Sequence, residues 1–209
     1  MKRALLFLNG EKGVVPLEHQ YDMVLACDGG CRVARRNSVK PQIVIGDLDS
    51  LPQNLLDWLD HSLIIPYPEQ KNLSDGELGV KYLLGCGFDL IDVVGAVGGR
   101  LDQSLTNLLL CSEHLGKAEF KLLTPLETGY FLGGLRSSIR LELDPGTLFS
   151  LVPLTQVRIG KCTGGKYPLE RKRLFPGSSY TVSNQIKAGR LEIEVESGRL
   201  LLCVSRKRR

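Results

Sequence analysis

The chain has 209 residues, enough for one large domain or two small ones with a real core. It is 43% hydrophobic and 24% charged, with a formal net charge of +4, part of it in Arg206-Lys207-Arg208-Arg209. No basic stripe with interleaved aromatics and no bilayer-length apolar segment occurs, so neither nucleic acid nor membrane is expected as a partner. The six cysteines are scattered, and Cys27 and Cys31 lack a second pair or spaced histidines that would complete a zinc site. Reduced, buried thiols and a cytoplasmic location are the expectation.

In chain order, residues 4–8 read as a buried strand closed by Asn9-Gly10. Met23–Cys27 is a second strand, closed by Asp28-Gly29-Gly30, and residues 31–37 have helical character. Ile43–Ile45 is a third strand that breaks at Gly46 into Asp47-Leu48-Asp49-Ser50. Ser50 reads as the N-cap of a helix over residues 51–60, with Leu51, Leu55, Trp58 and Leu59 as its apolar stripe. Leu63–Pro66 is a fourth strand. Ser74-Asp75-Gly76-Glu77 spells a capping box, predicting a helix from Asp75 to Leu84 that stops at Gly85. A strand over residues 91–95 leads through Gly98-Gly99-Arg100-Leu101-Asp102 into an apolar-rich helix over residues 103–114. Phe120–Leu123 is one more strand.

Strand alternating with helix predicts a three-layer α/β domain around a parallel sheet, spanning residues 1–127. Past residue 128 the helical period disappears. Short strand-like runs (138–143, 148–152, 157–159, 179–182, 191–195, 200–204) alternate with turn residues, which predicts a small β-sandwich over residues 128–209.

The polar and glycine clusters of the first domain mostly follow strands, and the carboxyl ends of parallel strands share one rim, where such sheets bind ligands. Asp47 and Asp49 suit a hard cation such as Mg²⁺ beside a phosphate, or else form a solvated turn. Asp75 is either a simple helix-terminal charge or a site carboxylate. Arg100 either grips phosphate oxygens as a fork or pairs with Asp102, and both can hold at once. No Gly-x-x-x-x-Gly-Lys-Ser/Thr, dinucleotide glycine fingerprint or Gly-x-Ser-x-Gly is present, and the three histidines lack metal spacing. A carboxylate-rich rim without covalent machinery suits phosphoryl or pyrophosphoryl transfer.

The ordered motifs Asp28-Gly29-Gly30, Gly46-Asp47-Leu48-Asp49-Ser50, Lys71-Asn72-Leu73-Ser74-Asp75-Gly76-Glu77 and Gly98-Gly99-Arg100-Leu101-Asp102-Gln103 resemble those of the thiamine pyrophosphokinase family. Gly164-Gly165-Lys166-Tyr167-Pro168-Leu169 and Ser183-Asn184-Gln185 extend the resemblance over nearly the whole chain. It implies an α/β nucleotide-binding domain, a β-sandwich and a homodimer that moves pyrophosphate from ATP to thiamine. It further implies that Asp47, Asp49 and Asp75 hold Mg²⁺ and the triphosphate, with Arg100 and Asp102 ordering phosphates and the metal's waters. Asp28, Gly29, Lys71, Ser74, Gly99, Arg100 and Gln103 would bind ATP. Tyr167, Ser183 and Asn184 would bind thiamine between subunits, the last two through its aminopyrimidine. Asn72, Gly165 and Gln185 depart from the family's aspartate, leucine and glutamate; Gly165 is expected to enlarge or loosen the edge of the pocket. The alternatives are a pyrophosphokinase for another primary alcohol such as a hydroxymethylpterin, a non-catalytic binding module, and a phosphatase with an Asp-x-Asp nucleophile.

Overall fold

The computed structural model describes residues 1–11, 13–49, 51–67 and 72–206. The chain divides into two compact units, Met1–Cys111 with Phe120–Pro125, and Ser112–Glu119 with Leu126–Arg209.

The first unit is built on β1 (Arg3–Phe7), β2 (Met23–Cys27), β3 (Ile43–Gly46), β4 (Leu63–Pro66), β5 (Leu90–Val94) and β6 (Glu119–Leu123). Their lateral order is β6-β5-β1-β2-β3-β4, and β5, β1, β2, β3 and β4 run parallel. Successive side chains alternate between faces. Leu5, Phe7, Ala26 and Val44 pack with Val33 and Ala34 of α1 (Gly30–Arg36) and with Leu55 and Leu59. On the other face Leu6, Leu25 and Cys27 lie under α3 (Asp75–Gly85) at Gly79. Burial on both faces explains why these strands read as unbroken apolar runs instead of alternating ones. The chain proceeds outward from β1 to β4, then returns to place β5 on β1's other side. The connections therefore diverge between β1 and β5, opening a crevice at their carboxyl ends.

The helix expected over residues 51–60 is shorter. It consists of α2 (Gln53–Leu56) followed by a 3₁₀ turn, Asp57–Leu59. Pro52, extended at ψ 152°, occupies the N-cap position; Ser50 lies outside the described residues. A proline disfavours helical backbone in the residue before it, so the helix begins beyond. Leu51, Leu55 and Leu59 are nonetheless buried as the stripe required. α4 spans Leu101–Glu113, starting two residues earlier than its apolar pattern suggested.

From Leu126 onward the second unit is all-β. It contains β7 (Glu127–Leu132), β8 (Ser138–Glu142), β9 (Leu148–Pro153), β10 (Val157–Thr163), β11 (Leu169–Leu174), β12 (Asn184–Gln185), β13 (Arg190–Ser197) and β14 (Leu200–Ser205). They form two antiparallel layers, β12-β9-β14-β7 and β11-β10-β13-β8. Leu132, Phe149, Leu151, Leu200 and Leu202 from one layer meet Ile139, Val157, Ile159, Cys162, Leu191 and Ile193 from the other in a single core. This is a β-sandwich.

Residues 179–182 do not form the expected strand. They make a turn in which the Val182 amide donates to the Ser179 carbonyl, and buried Thr181 donates its hydroxyl to the Leu151 carbonyl at 2.7 Å. Pairing passes instead to Asn184–Gln185. Two further strands escaped the apolar pattern. β7 carries Gly129 at its centre, and β11 is apolar only at its two ends. The four exposed charged residues between those ends suit a sheet edge, where charge discourages further pairing.

Candidate active site

The rim of the parallel sheet is assembled by backbone contacts that only glycines permit. A Cβ on Gly10 would stand 2.3 Å from the carbonyl oxygens of both Gly95 and Val97, so the loops after β1 and β5 lie directly against each other. The Leu8 amide donates to Val94 at 2.8 Å, and the Glu11 amide donates to Val97. Beyond β2, Asp28 adopts a left-handed φ of 42°, which aspartate tolerates better than most residues, and its amide donates to Ile45 at 2.8 Å. Gly46 follows at the end of β3; a Cβ there would lie 3.1 Å from that of Asp28. The carboxylate loops after β2 and β3 are therefore neighbours.

Helix α3 brings the next carboxylate. Ser74 caps it as the sequence predicts, accepting the Glu77 amide at 3.2 Å. The Glu77 carboxylate pairs with Lys81 at 2.9 Å, so one half of the expected capping box serves as a surface ion pair. Gly76 allows close approach of the helix start: its Cβ would lie 3.1 Å from Asn107 Oδ1 and 3.5 Å from Leu8. Asn107 in turn donates to the Ala96 carbonyl at 3.0 Å, linking α4 to the loop after β5.

These elements enclose a cleft of about 310 Å³ within the first unit. Leu8, Asn9 and Cys27 come from the strand ends, and Asp28, Ser74 and Asp75 supply much of its polar wall. Asp102, Gln103, Thr106 and Asn107 line it from α4. Burial above all, and then the negative charges of Asp75 and Asp28, drive the Cys27 thiol far above its ordinary range. Cys27 is therefore a neutral floor to the cleft and not a nucleophile. Nearby Cys31, buried and beside Asp28, is pushed up to about 12.

Arg100 forms the pair that its spacing suggested. Its Nε and Nη2 donate to the two Asp102 oxygens at 3.1 and 2.6 Å, and the Gln103 amide donates to Asp102 Oδ1 at 2.9 Å. Chiefly through the Arg100 hydrogen bond, the Asp102 carboxyl is held below the usual carboxylate range. Both side chains are exposed, so the guanidinium is tethered yet open to an anion. Gly99, in the turn before it, has a left-handed φ of 77°.

The sequence-predicted residues thus separate into groups. Asp28, Ser74, Asp75, Asp102 and Gln103 line one cleft. Gly29 is buried beside Asn9, where its Cβ would stand 2.4 Å from that side chain. Asp47 and Asp49 occupy the adjacent strand end outside the lining, where Asp47 Oδ1 accepts the Asp49 amide at 3.2 Å. Lys71 lies outside the described residues. Among the described residues, no three His, Cys, Asp or Glu side chains gather as a metal cage. Hard carboxylate oxygens are nevertheless the donor type for Mg²⁺, which commonly takes one or two carboxylates and completes its shell with phosphate and water. Cys27, Thr106 and Asn107 are lining residues that the sequence reading missed, whereas Asn9 belongs to a cluster it placed on the rim without assigning it a role. The i, i+4 spacing of Thr106 from Asp102 and of Asn107 from Gln103 was the available signal.

In the sandwich, Tyr167, Ser183 and Asn184 also come together, with different surroundings. Tyr167 is 59% exposed and carries the Lys166 ammonium 5.5 Å from its ring centre. Ser183 is exposed at a φ of 60°, its amide donating to Ser150 Oγ. Asn184 is buried, and its amide group bonds the chain's own backbone. Gly165 does not open the pocket edge as expected. The Phe149 ring fills that space, 2.7 Å from where a Cβ would stand.

Two family models match the chain: "Thiamin pyrophosphokinase, catalytic domain" over residues 16–122 and "Thiamin pyrophosphokinase, vitamin B1 binding domain" over residues 136–200. A curated relative, thiamine pyrophosphokinase of Bacillus subtilis (strain 168), is 22% identical over 210 residues, covering 97% of this chain and 98% of the relative. Among solved structures, thiamine pyrophosphokinase from Bacillus subtilis superposes with a TM-score of 0.83 at 20% identity, covering 99% of this chain and 100% of that one. Thiamin pyrophosphokinase from Candida albicans gives a TM-score of 0.77 at 16% identity, covering 98% and 90% respectively. The likeness to these structures is one of fold.

Proposed function

The chain belongs to the thiamin pyrophosphokinase family, and from that premise we propose that it transfers the pyrophosphoryl group of ATP to thiamine. The observation that carries this reading is the cleft at the switch point of the parallel sheet, with Asp28 and Asp75 in its wall and the Arg100 fork nearby. Its glycine-built loops bring backbone close to a ligand, and its charged groups are of both signs, as a triphosphate with a cation requires.

In the reaction, the hydroxyethyl oxygen of thiamine bonds to the β-phosphorus of ATP while the bond from that phosphorus to the oxygen bridging it to the α-phosphate breaks. AMP leaves with the electron pair, and the hydroxyl proton passes to a carboxylate, Asp47 or Asp75. Asp47, Asp49 and Asp75 are the residues that would hold Mg²⁺, which supplies charge neutralisation for the polyphosphate. Arg100, oriented by Asp102, offers donors to phosphate oxygens and adds no proton transfer of its own. Asn9, Gln103, Thr106 and Asn107 give the same cleft hydrogen-bonding groups for the nucleotide. The protonated Cys27 thiol beneath them leaves the chemistry to direct transfer between substrates. A homodimer is part of the proposal, and light scattering of the purified chain checks it.

Phosphorus NMR of the protein with ATP, Mg²⁺ and thiamine, against a control without thiamine, tests the reaction. Thiamine-dependent AMP with thiamine diphosphate is the expected result. ADP would refute pyrophosphoryl transfer, and absence of turnover with retained thiamine binding would make the protein a binding module.

A further inference from the structure

The Gly164–Tyr167 loop and the Ser183–Gln185 segment are separated in sequence yet form one unit, joined by backbone pairing and by one buried side chain. Asn184 Nδ2 donates to the Tyr167 carbonyl at 2.8 Å, while its Oδ1 accepts from the Tyr167 amide at 3.1 Å and the Gln185 amide at 2.8 Å. Only 7% of Asn184 is exposed. The surrounding backbone continues the connection: the Lys166 amide donates to Gln185, the Lys187 amide donates to Gly164, and Gly165 bridges Ile186. Such a two-way bond from one amide side chain to one residue's N–H and C=O mimics a strand pairing and fixes both position and direction.

Gly165 shows how tightly this unit is seated. Its Cβ would stand 2.7 Å from the Phe149 ring and 2.9 Å from Asn184 Nδ2. Phe149 is fully buried in the sandwich core, so moving its ring would disturb the packing around it. The exposed residues of the unit are Lys166, Tyr167, Ser183 and Gln185, and of these Tyr167 offers an aromatic face and Ser183 a hydroxyl.

We propose that Asn184 is a positioning residue for the acceptor substrate, holding the Lys166–Tyr167 backbone through its buried amide, and that Gly165 and Phe149 complete the seat. This departs from the expectation that Asn184 itself hydrogen-bonds thiamine, and it rests on the reading of the chain as a thiamine pyrophosphokinase. Substrate contact belongs to Tyr167 and Ser183. Removing Asn184 frees the Tyr167 backbone while the pairing at Gly164 and Lys166 remains, and it empties no subsite, so the effect falls on acceptor KM and leaves kcat nearly unchanged.

Two sets of variants decide this. Asn184→Ala should speed hydrogen exchange at the Tyr167 and Gln185 amides by about tenfold or more, since both lose their acceptor. Gly165→Ala, which leaves Asn184 chemically intact, should raise thiamine KM about tenfold, as Asn184→Ala does, with kcat within about twofold. Adding Phe149→Leu to Gly165→Ala should recover much of that KM by making room for the methyl group. Should Asn184→Ala fail to fold, Asn184→Asp, which keeps the acceptor but loses the donor to Tyr167, replaces it. There the Tyr167 amide should stay protected while thiamine KM rises.

Unchanged exchange in Asn184→Ala would overturn the pin. A raised KM in Asn184→Ala beside a normal one in Gly165→Ala would also overturn it, because a direct ligand predicts that pattern. If the wild-type chain releases no AMP from ATP when thiamine is present, the functional reading fails, and amide exchange alone still decides whether Asn184 holds the loop.

Discussion

Helix α3 carries Ser74 and Asp75 to the cleft, and its seating on the sheet can be tested with one chemical change made at two of its glycines. At Gly79 an added Cβ would stand 2.5 Å from Cys27 Sγ, 3.2 Å from Leu6 and 3.3 Å from Leu25, all fully or almost fully buried. At Gly85, on the exposed end of the same helix, it would meet nothing within 4 Å. Overpacking at the first site costs about 1–3 kcal/mol, against a gain of about 1 kcal/mol from replacing a helical glycine by alanine. Gly79→Ala should therefore lose up to about 2 kcal/mol, lowering Tm by up to about 8 °C for a chain of this size. Gly85→Ala should be neutral or gain about 0.5 kcal/mol. Because α3 must lift to admit the methyl, Gly79→Ala should also reduce turnover by displacing Asp75. Calorimetry and an AMP-release assay on both variants measure this, and Cys27→Ala should soften the Gly79→Ala penalty in a double-mutant cycle. Equal stability of the two alanine variants would refute the close seating of α3 on Cys27.

Asp47→Asn should lower kcat/KM about 100-fold or more, the scale on which charged groups act in such sites, while Asn72→Asp at an exposed position should change it by less than about fivefold. Full activity in Asp47→Asn, measured by AMP release across a Mg²⁺ titration, would remove that residue from the metal assignment. The Arg100–Asp102 pair gives a pH dependence of defined sign. The folded-state Asp102 carboxyl is depressed, so any stabilisation from the pair is present above the unfolded carboxylate range and fades as pH falls through the lower folded value. NMR titration of Asp102 should show a midpoint below the ordinary one, and Arg100→Gln should return it upward; an unmoved midpoint would contradict the pairing.

Much of this molecule was legible in its sequence for local reasons. Apolar runs of five residues ended by glycine and aspartate are strands buried on both faces, and Ser74 with Glu77 marks a helix start wherever that helix packs. The order of such elements was enough to indicate a parallel sheet followed by a sandwich, and to place the carboxylate clusters on one rim. The motifs themselves carried the family resemblance. Other features depended on context that the apolar pattern does not carry. Pro52 puts the helix start later than the Ser50 signal predicts, and β11, charged along its exposed length, is a strand because β10 offers it an edge.

The site shows the same division. Residue types marked Asp28, Asp75 and Asp102 as candidates only, since a carboxylate after a strand or at a helix start serves equally as a solvated turn or a terminal charge. Whether each faces a cleft was decided by glycine contacts between loops, among them Gly10 against Gly95 and Gly76 against Asn107. Asn184 makes the distinction plainest. Its amide is equally suited to a ligand or to backbone, and only the folded chain, by burying it against Tyr167, selected the backbone. Sequence specifies what a side chain can donate or accept; the tertiary structure decides which partner is within 3 Å of it.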